Sequence, residues 1–144
     1  MDGRGVCVDP LPNLIWKYKF FRGKDKFIPA GFDSKKSNKK LTFYHYANTP
    51  DNSTFNKERV IELKNKFSRV PTEEIEVNIV NHDDVMKSFL EINNNSEIHL
   101  LNLDVEGFEE KILESFFLSK NFPWVVCVED LGFLADELNC SNID

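Results

Sequence analysis

The sequence predicts one α/β domain, 1–144, built as three layers around a mostly parallel sheet. Three observations carry the prediction. Short apolar runs recur along the chain, and between them apolar residues return at helical spacing. Several of the apolar runs also stop on an acidic residue: Asp9, Asp104 and Glu129. Strands alternating with helices imply right-handed crossovers, which place successive strands parallel.

In order, 5–9 reads as a short apolar strand. Pro10 and Pro12 then suit the first turn of a helix whose apolar face is Leu11, Leu14, Ile15, Tyr18 and Phe21. The run 27–32 is a second strand, with Pro29 limiting its ladder. A polar turn leads to an aromatic-rich third strand over 41–46, and 48–56 is a loop of turn formers. Val60, Leu63 and Phe67 mark a helix that stops before Pro71. Alternation over 75–80 predicts a half-exposed strand, and Asp83 or Asp84 is expected to cap the helix carrying Val85, Met86, Phe89 and Leu90.

The most informative stretch is 98–113. It begins as an apolar run, suited to a strand buried on both faces, and ends in Asp104 and Glu106 ahead of Gly107. Phe108, Ile112 and Phe116 then take up helical spacing, and 123–130 is a last buried strand. Ligands of open α/β sheets bind beyond the carboxyl ends of strands. The sequence therefore predicts that the tips at Asp9, Asp104 and Glu129 share one edge, with His82, Asp83 and Asp84 near it. Two acids at one strand tip exceed what capping needs, whereas Glu109 and Glu110 fit the helix dipole of a first turn.

Composition narrows the rest. The chain has 144 residues, 41% of them hydrophobic, enough for one core. Its 13 phenylalanines predict a core rich in rings. No apolar run reaches membrane-spanning length and Met1-Asp2-Gly3-Arg4-Gly5 has no signal-peptide character, so a cytoplasmic protein with no membrane partner is expected. Cys7, Cys127 and Cys140 show no metal-ligand spacing, and the first two are expected to be small buried thiols in strands. Net charge is −6, yet residues 1–72 hold 15 Lys+Arg against 7 Asp+Glu, and residues 73–144 hold 3 against 17. The acidity and the lack of a recognition motif argue against nucleic acid as a partner.

Leu103-Asp104-Val105-Glu106-Gly107-Phe108-Glu109, preceded by Val8-Asp9-Pro10-Leu11-Pro12 and followed by Val126-Cys127-Val128-Glu129, resembles the FkbM family of S-adenosylmethionine-dependent methyltransferases. Ser53-Thr54-Phe55 and the stretch from Val77 to Val85 resemble further family segments in the same order. The resemblance implies a Rossmann-like methyltransferase fold with S-adenosylmethionine as cofactor and a hydroxyl on a sugar, glycan or other small molecule as acceptor. It gives Asp9 the ribose hydroxyls, Asp83 the adenine side, and Asp104 and Glu106 the acceptor beside the transferred methyl. No metal is implied.

The family's first strand and its glycine-rich turn have no counterpart in these residues, since Gly3, Gly5, Gly23, Gly31, Gly107 and Gly132 form no such motif. The expectation is a truncated domain, impaired in cofactor binding and prone to self-association through exposed sheet edges. A degenerate, non-catalytic binding module is the alternative, and a metal-dependent hydrolase using the strand-tip carboxylates ranks last.

Overall fold

A computed structural model describes residues 4–33, 35, 40–94, 97–105 and 109–128. Six strands and four α-helices follow one another as β1 (Val6–Asp9), α1 (Ile15–Phe21), β2 (Lys26–Phe32), β3 (Lys40–His45), α2 (Lys57–Phe67), β4 (Glu73–Val80), α3 (His82–Ile92), β5 (Leu100–Leu103), α4 (Glu109–Leu118) and β6 (Val125–Val128). Short 3-10 turns at Pro12–Leu14 and Pro50–Asn52 lead into α1 and the loop before α2.

The strands form two sheets. The larger has the order β1-β2-β4-β3, parallel from β1 to β4, with β3 antiparallel at its edge. The smaller is the parallel pair β5-β6. The α/β class and the mostly parallel pairing are therefore present. The antiparallel β3 follows from the length of its link to β2, seven residues between Phe32 and Lys40, where a parallel crossover needs about a dozen or more. Between β1 and β5 there is no pairing among the described residues, so each presents an open edge.

Helices lie on both faces of the larger sheet. On one, Tyr18 of α1 stacks on Phe27 at 4.8 Å, while Phe55 packs on Phe43 at 4.9 Å and closes over Gly31. A Cβ at Gly31 would stand 2.7 Å from Phe55 Cζ and 2.9 Å from Ile79 Cδ1, which explains the glycine in a buried strand position. On the other face lies the main core, where Met86, Ile98, Leu103, Ile112 and Phe116 cluster against Phe32, Phe89 and Leu101. This core knits α3, α4 and β5 onto the end of β2.

Local signals account for the helix ends. Asn56 caps α2 by accepting from the Glu58 and Arg59 amides, and Ser68 closes it in the left-handed region at φ 53°. The cap of α3 is Asn81, two residues before Asp83 and three before Asp84, the acids expected to do it. Its side chain accepts from the Asp84 amide at 3.1 Å, while Asp84 accepts from the Asn81 amide at 3.3 Å, a reciprocal capping box. Asp84 thus serves the cap from inside the helix.

Three expectations about burial need correcting. Val125 and Val126 of β6 are exposed, so the last strand is not buried. Cys127 is exposed with it and Cys7 is only half-buried. Of the many phenylalanines, Phe43 and Phe116 are buried while Phe20, Phe21, Phe67, Phe117 and Phe122 face outward. Among the described residues β5 meets the core through Leu101 and Leu103, and α1 turns Tyr18 onto Phe27.

Candidate functional site

Asp9 is the best-defined of the proposed site residues. It ends β1 opposite Pro29, and its Oδ1 accepts the Leu11 amide at 2.8 Å. That contact closes an Asx turn over Pro10 and leads the chain into the 3-10 turn. The Asp9 carboxyl is half-buried, and burial pushes its pKa up; the Leu11 amide and then the nearby His45 ring pull it back. Among the described residues Oδ2 takes no hydrogen bond. A fixed carboxylate with one oxygen uncommitted is a ready acceptor for a hydroxyl donor.

The loop before α2 comes to the same neighbourhood. His45 Nδ1 lies 3.3 Å from Ser53 Oγ, which accepts the Tyr46 amide at 3.0 Å. Thr54 bridges back to Tyr44 through paired backbone bonds of 2.9 and 3.1 Å. His45 lies near enough to Asp9 to lower its pKa electrostatically, and Ser53 lies against the same ring. No spacing rule along a single strand brings His45 toward Asp9.

Asp83 sits in the first turn of α3 with its side chain 83% exposed, its Oδ1 3.3 Å from His82 Nδ1. The better-anchored residue is His82. It is buried, its ring meets Phe116 edge-on at 4.7 Å, and its Nε2 lies 2.9 Å from Ser119 Oγ and 3.3 Å from Asn121 Nδ2. A shallow concavity is lined here by His82, Asp83, Met86, Lys87, Ser119 and Asn121. The Asp–His–Ser sequence of contacts is not a nucleophile array, because the Ser119 hydroxyl also donates to the Phe116 carbonyl at 2.9 Å and so closes the end of α4.

Asp104 follows β5, exposed and without a hydrogen bond among the described residues. Next to it the Val105 amide donates to Glu109 Oε1 at 3.1 Å, so buried Glu109 shapes the turn into α4, as its first-turn position implies. Glu106, Gly107 and Glu129 lie outside the described residues.

Among the described residues no hydrogen bond or ion pair joins Asp9, Asp83 and Asp104. Asp9 is level with Pro29, whereas α3 starts beyond Val80, the partner of Phe32. Three strand residues separate those levels, roughly 10 Å at 3.3 Å per residue. It is the C-terminal end of α4 that meets His82, and Asp104 precedes the opposite end of that 10-residue helix. Alternation of elements fixed their types, but not the direction in which β5-α4-β6 packs on the larger sheet. Among the described residues no group of three or more His, Cys, Asp or Glu could hold a metal ion.

A cofactor of the S-adenosylmethionine type needs a ribose acceptor and a backbone cradle for its amino-acid end. Asp9 fits the first. Among the described glycines, Gly31 is filled by Phe55 and Ile79, and Gly5 lies at the start of β1, where Lys26 donates to its carbonyl. Among the described residues the fit is limited to the ribose end.

The family model for the methyltransferase FkbM domain matches residues 1–139. The chain belongs to the FkbM methyltransferase family. No curated protein and no solved structure matches it. The FkbM match spans both sheets, so β1 with Asp9 and β5 with Asp104 are parts of one family domain. No helix of the described FkbM domain is long and apolar enough to cross a membrane.

Proposed function

We propose that this chain carries the ribose-binding and acceptor-side segments of an S-adenosylmethionine-dependent O-methyltransferase of the FkbM family. The observation that carries the reading is Asp9: a half-buried carboxylate at the end of a parallel strand, pinned through Oδ1 and uncommitted at Oδ2, in a chain matched by the family over 1–139. Asp9 would accept the vicinal ribose hydroxyls, a task for which a fixed carboxylate is suited. Asp83 would lie toward the adenine. Asp104 and Glu106 would orient an acceptor hydroxyl of a sugar or other small molecule and take its proton. The bound cofactor supplies the electrophilic methyl; the chain's own part is binding and proton acceptance. A Rossmann-like sheet is completed in this reading by a strand between the open edges of β1 and β5, once β5-α4-β6 turns to align its tip with Asp9.

One observation favours a second reading. No contact among the described residues joins Asp9, Asp83 and Asp104, and the cradle for the cofactor's amino-acid end is not among them, so the chain by itself would act as a non-catalytic α/β binding module. Isothermal calorimetry with S-adenosylmethionine separates the two. Binding that disappears in Asp9→Asn, with methyl transfer to a hydroxyl acceptor that disappears in Asp104→Asn, supports the methyltransferase. A folded chain with neither activity supports the module.

A further inference from the structure

The outward side of α1 combines large exposed rings with flanking cations. Trp16 and Phe20, one helical turn apart, are 60% and 79% exposed, and Phe21 beside them is 73% exposed. Tyr18 points the other way, onto Phe27, and so fixes which side faces out. Lys17 and Lys19 occupy the positions on either side of the Trp16–Phe20 line, with the Lys17 ammonium 5.8 Å from the Trp16 ring centroid. Phe20 and Phe21 pack edge-on at 4.8 Å, which holds the apolar ridge together. Arg22 and Lys26 follow and are paired with Asp25 and Glu91.

We propose that this face of α1 docks on an anionic lipid surface, with the helix lying flat. Rings at headgroup depth with lysines beside them are the composition of an interfacial helix, since the lysine stems lie along the apolar layer while their ammoniums reach lipid phosphates. Tryptophan is enriched at that depth. The local charge agrees: Lys17 and Lys19 flank the rings and α1 carries no acidic residue, so an anionic surface attracts this helix. A protein partner fits less well, because interface cores are depleted in lysine. A twofold pairing of α1 with its copy would set Lys17 and Lys19 against their own like charges. The expectation of no membrane partner rested on the lack of a spanning segment, which does not bear on a helix that lies on the surface. The proposal is independent of the methyltransferase reading.

The test uses the whole 144-residue chain and vesicles of phosphatidylcholine with or without about a third phosphatidylserine. Sedimentation should recover the chain with the phosphatidylserine vesicles and leave it in solution with pure phosphatidylcholine. In Trp124→Phe, which leaves Trp16 as the one remaining of 2 tryptophans, emission should shift to the blue on binding. Lys17→Glu/Lys19→Glu and Trp16→Ser/Phe20→Ser should each weaken binding by about tenfold or more. The charge-reversed pair keeps every ring, so it remains decisive if the ring variant folds poorly by circular dichroism. No sedimentation with anionic vesicles, equal sedimentation with both kinds, or binding without the blue shift would each overturn the proposal. A lipid-independent dimer abolished by Trp16→Ser/Phe20→Ser would also overturn it and assign the face to self-association.

Discussion

His82 Nε2 and Ser119 Oγ lie 2.9 Å apart and tie the first turn of α3 to the end of α4. The ring is buried while Ser119 is exposed, so the contact lies at the edge of the core. Replacing His82 by Ala removes the partner of Ser119 and Asn121 and opens a space against Phe116. The expected loss of stability is about 2–4 kcal/mol, and Ser119→Ala should cost about 1 kcal/mol. Urea denaturation of both single variants and the double variant should give a coupling of about 0.5 kcal/mol or more. Strict additivity would mean that the contact does not hold the two helices.

Asp9 should show opposite signs in stability and binding. Burial raises its folded pKa above the unfolded value. The folded state therefore favours the protonated form, and that contribution is full below the ordinary carboxylate range and lost as pH rises through the raised value. Asp9→Asn keeps the Oδ1 acceptor for the Leu11 amide and removes the buried charge. Its melting temperature at neutral pH should equal or exceed that of the unmodified chain, with the difference closing on acidification, while S-adenosylmethionine binding is lost. A variant less stable at neutral pH than at acid pH, relative to the parent, contradicts this assignment.

Gly31 marks where the sheet and the loop before α2 touch. Alanine there would place a methyl at 2.7 Å from Phe55 Cζ and 2.9 Å from Ile79 Cδ1. Gly31→Ala should destabilise by about 1–3 kcal/mol through overpacking. Phe55→Leu in the same chain should recover part of the loss, read as a shift of the denaturation midpoint.

Tyr46 is 3% exposed, and its hydroxyl finds no hydrogen-bond partner among the described residues. Burial pushes its pKa up, with Arg59 pulling slightly the other way. An unpaired buried hydroxyl costs about 1–3 kcal/mol, so Tyr46→Phe should be neutral or stabilising. A marked loss of stability would reveal a partner for that hydroxyl.

Asn81→Ala should cost about 1 kcal/mol by removing the acceptor for the Asp84 amide. Asp83→Ala, at a position facing solvent, should leave thermal stability almost unchanged. The contrast, measured by thermal denaturation, distinguishes the cap from its exposed neighbour.

Much of this fold is legible in the chain because it is local. Alternation over Ile75–Val80 gives β4, the spacing of Val85, Met86 and Phe89 gives α3, and Asp9-Pro10 gives the turn after β1. The α3 cap falls two or three residues before the expected acids because Asn81, Asp83 and Asp84 are all competent N-terminal residues, and only the backbone turn selects Asn81. The candidate site was legible in part. Asp9 could be found as an acid that ends a strand, but the approach of His45, with Ser53 against its ring, is encoded by no spacing rule.

The acids that end strands, the α/β alternation and the FkbM motif order are determined by the sequence itself, because each depends on residues close together along the chain. Only the tertiary structure decided that β3 runs antiparallel and that β6 and α1 leave apolar side chains in water. The exposure of β6 depends on how β5-α4-β6 docks through Phe116, His82 and Phe32. Hydrophobic burial drives that docking, and burial is non-directional: it specifies which residues cover one another but leaves the orientation of the unit to the shape of the assembled core.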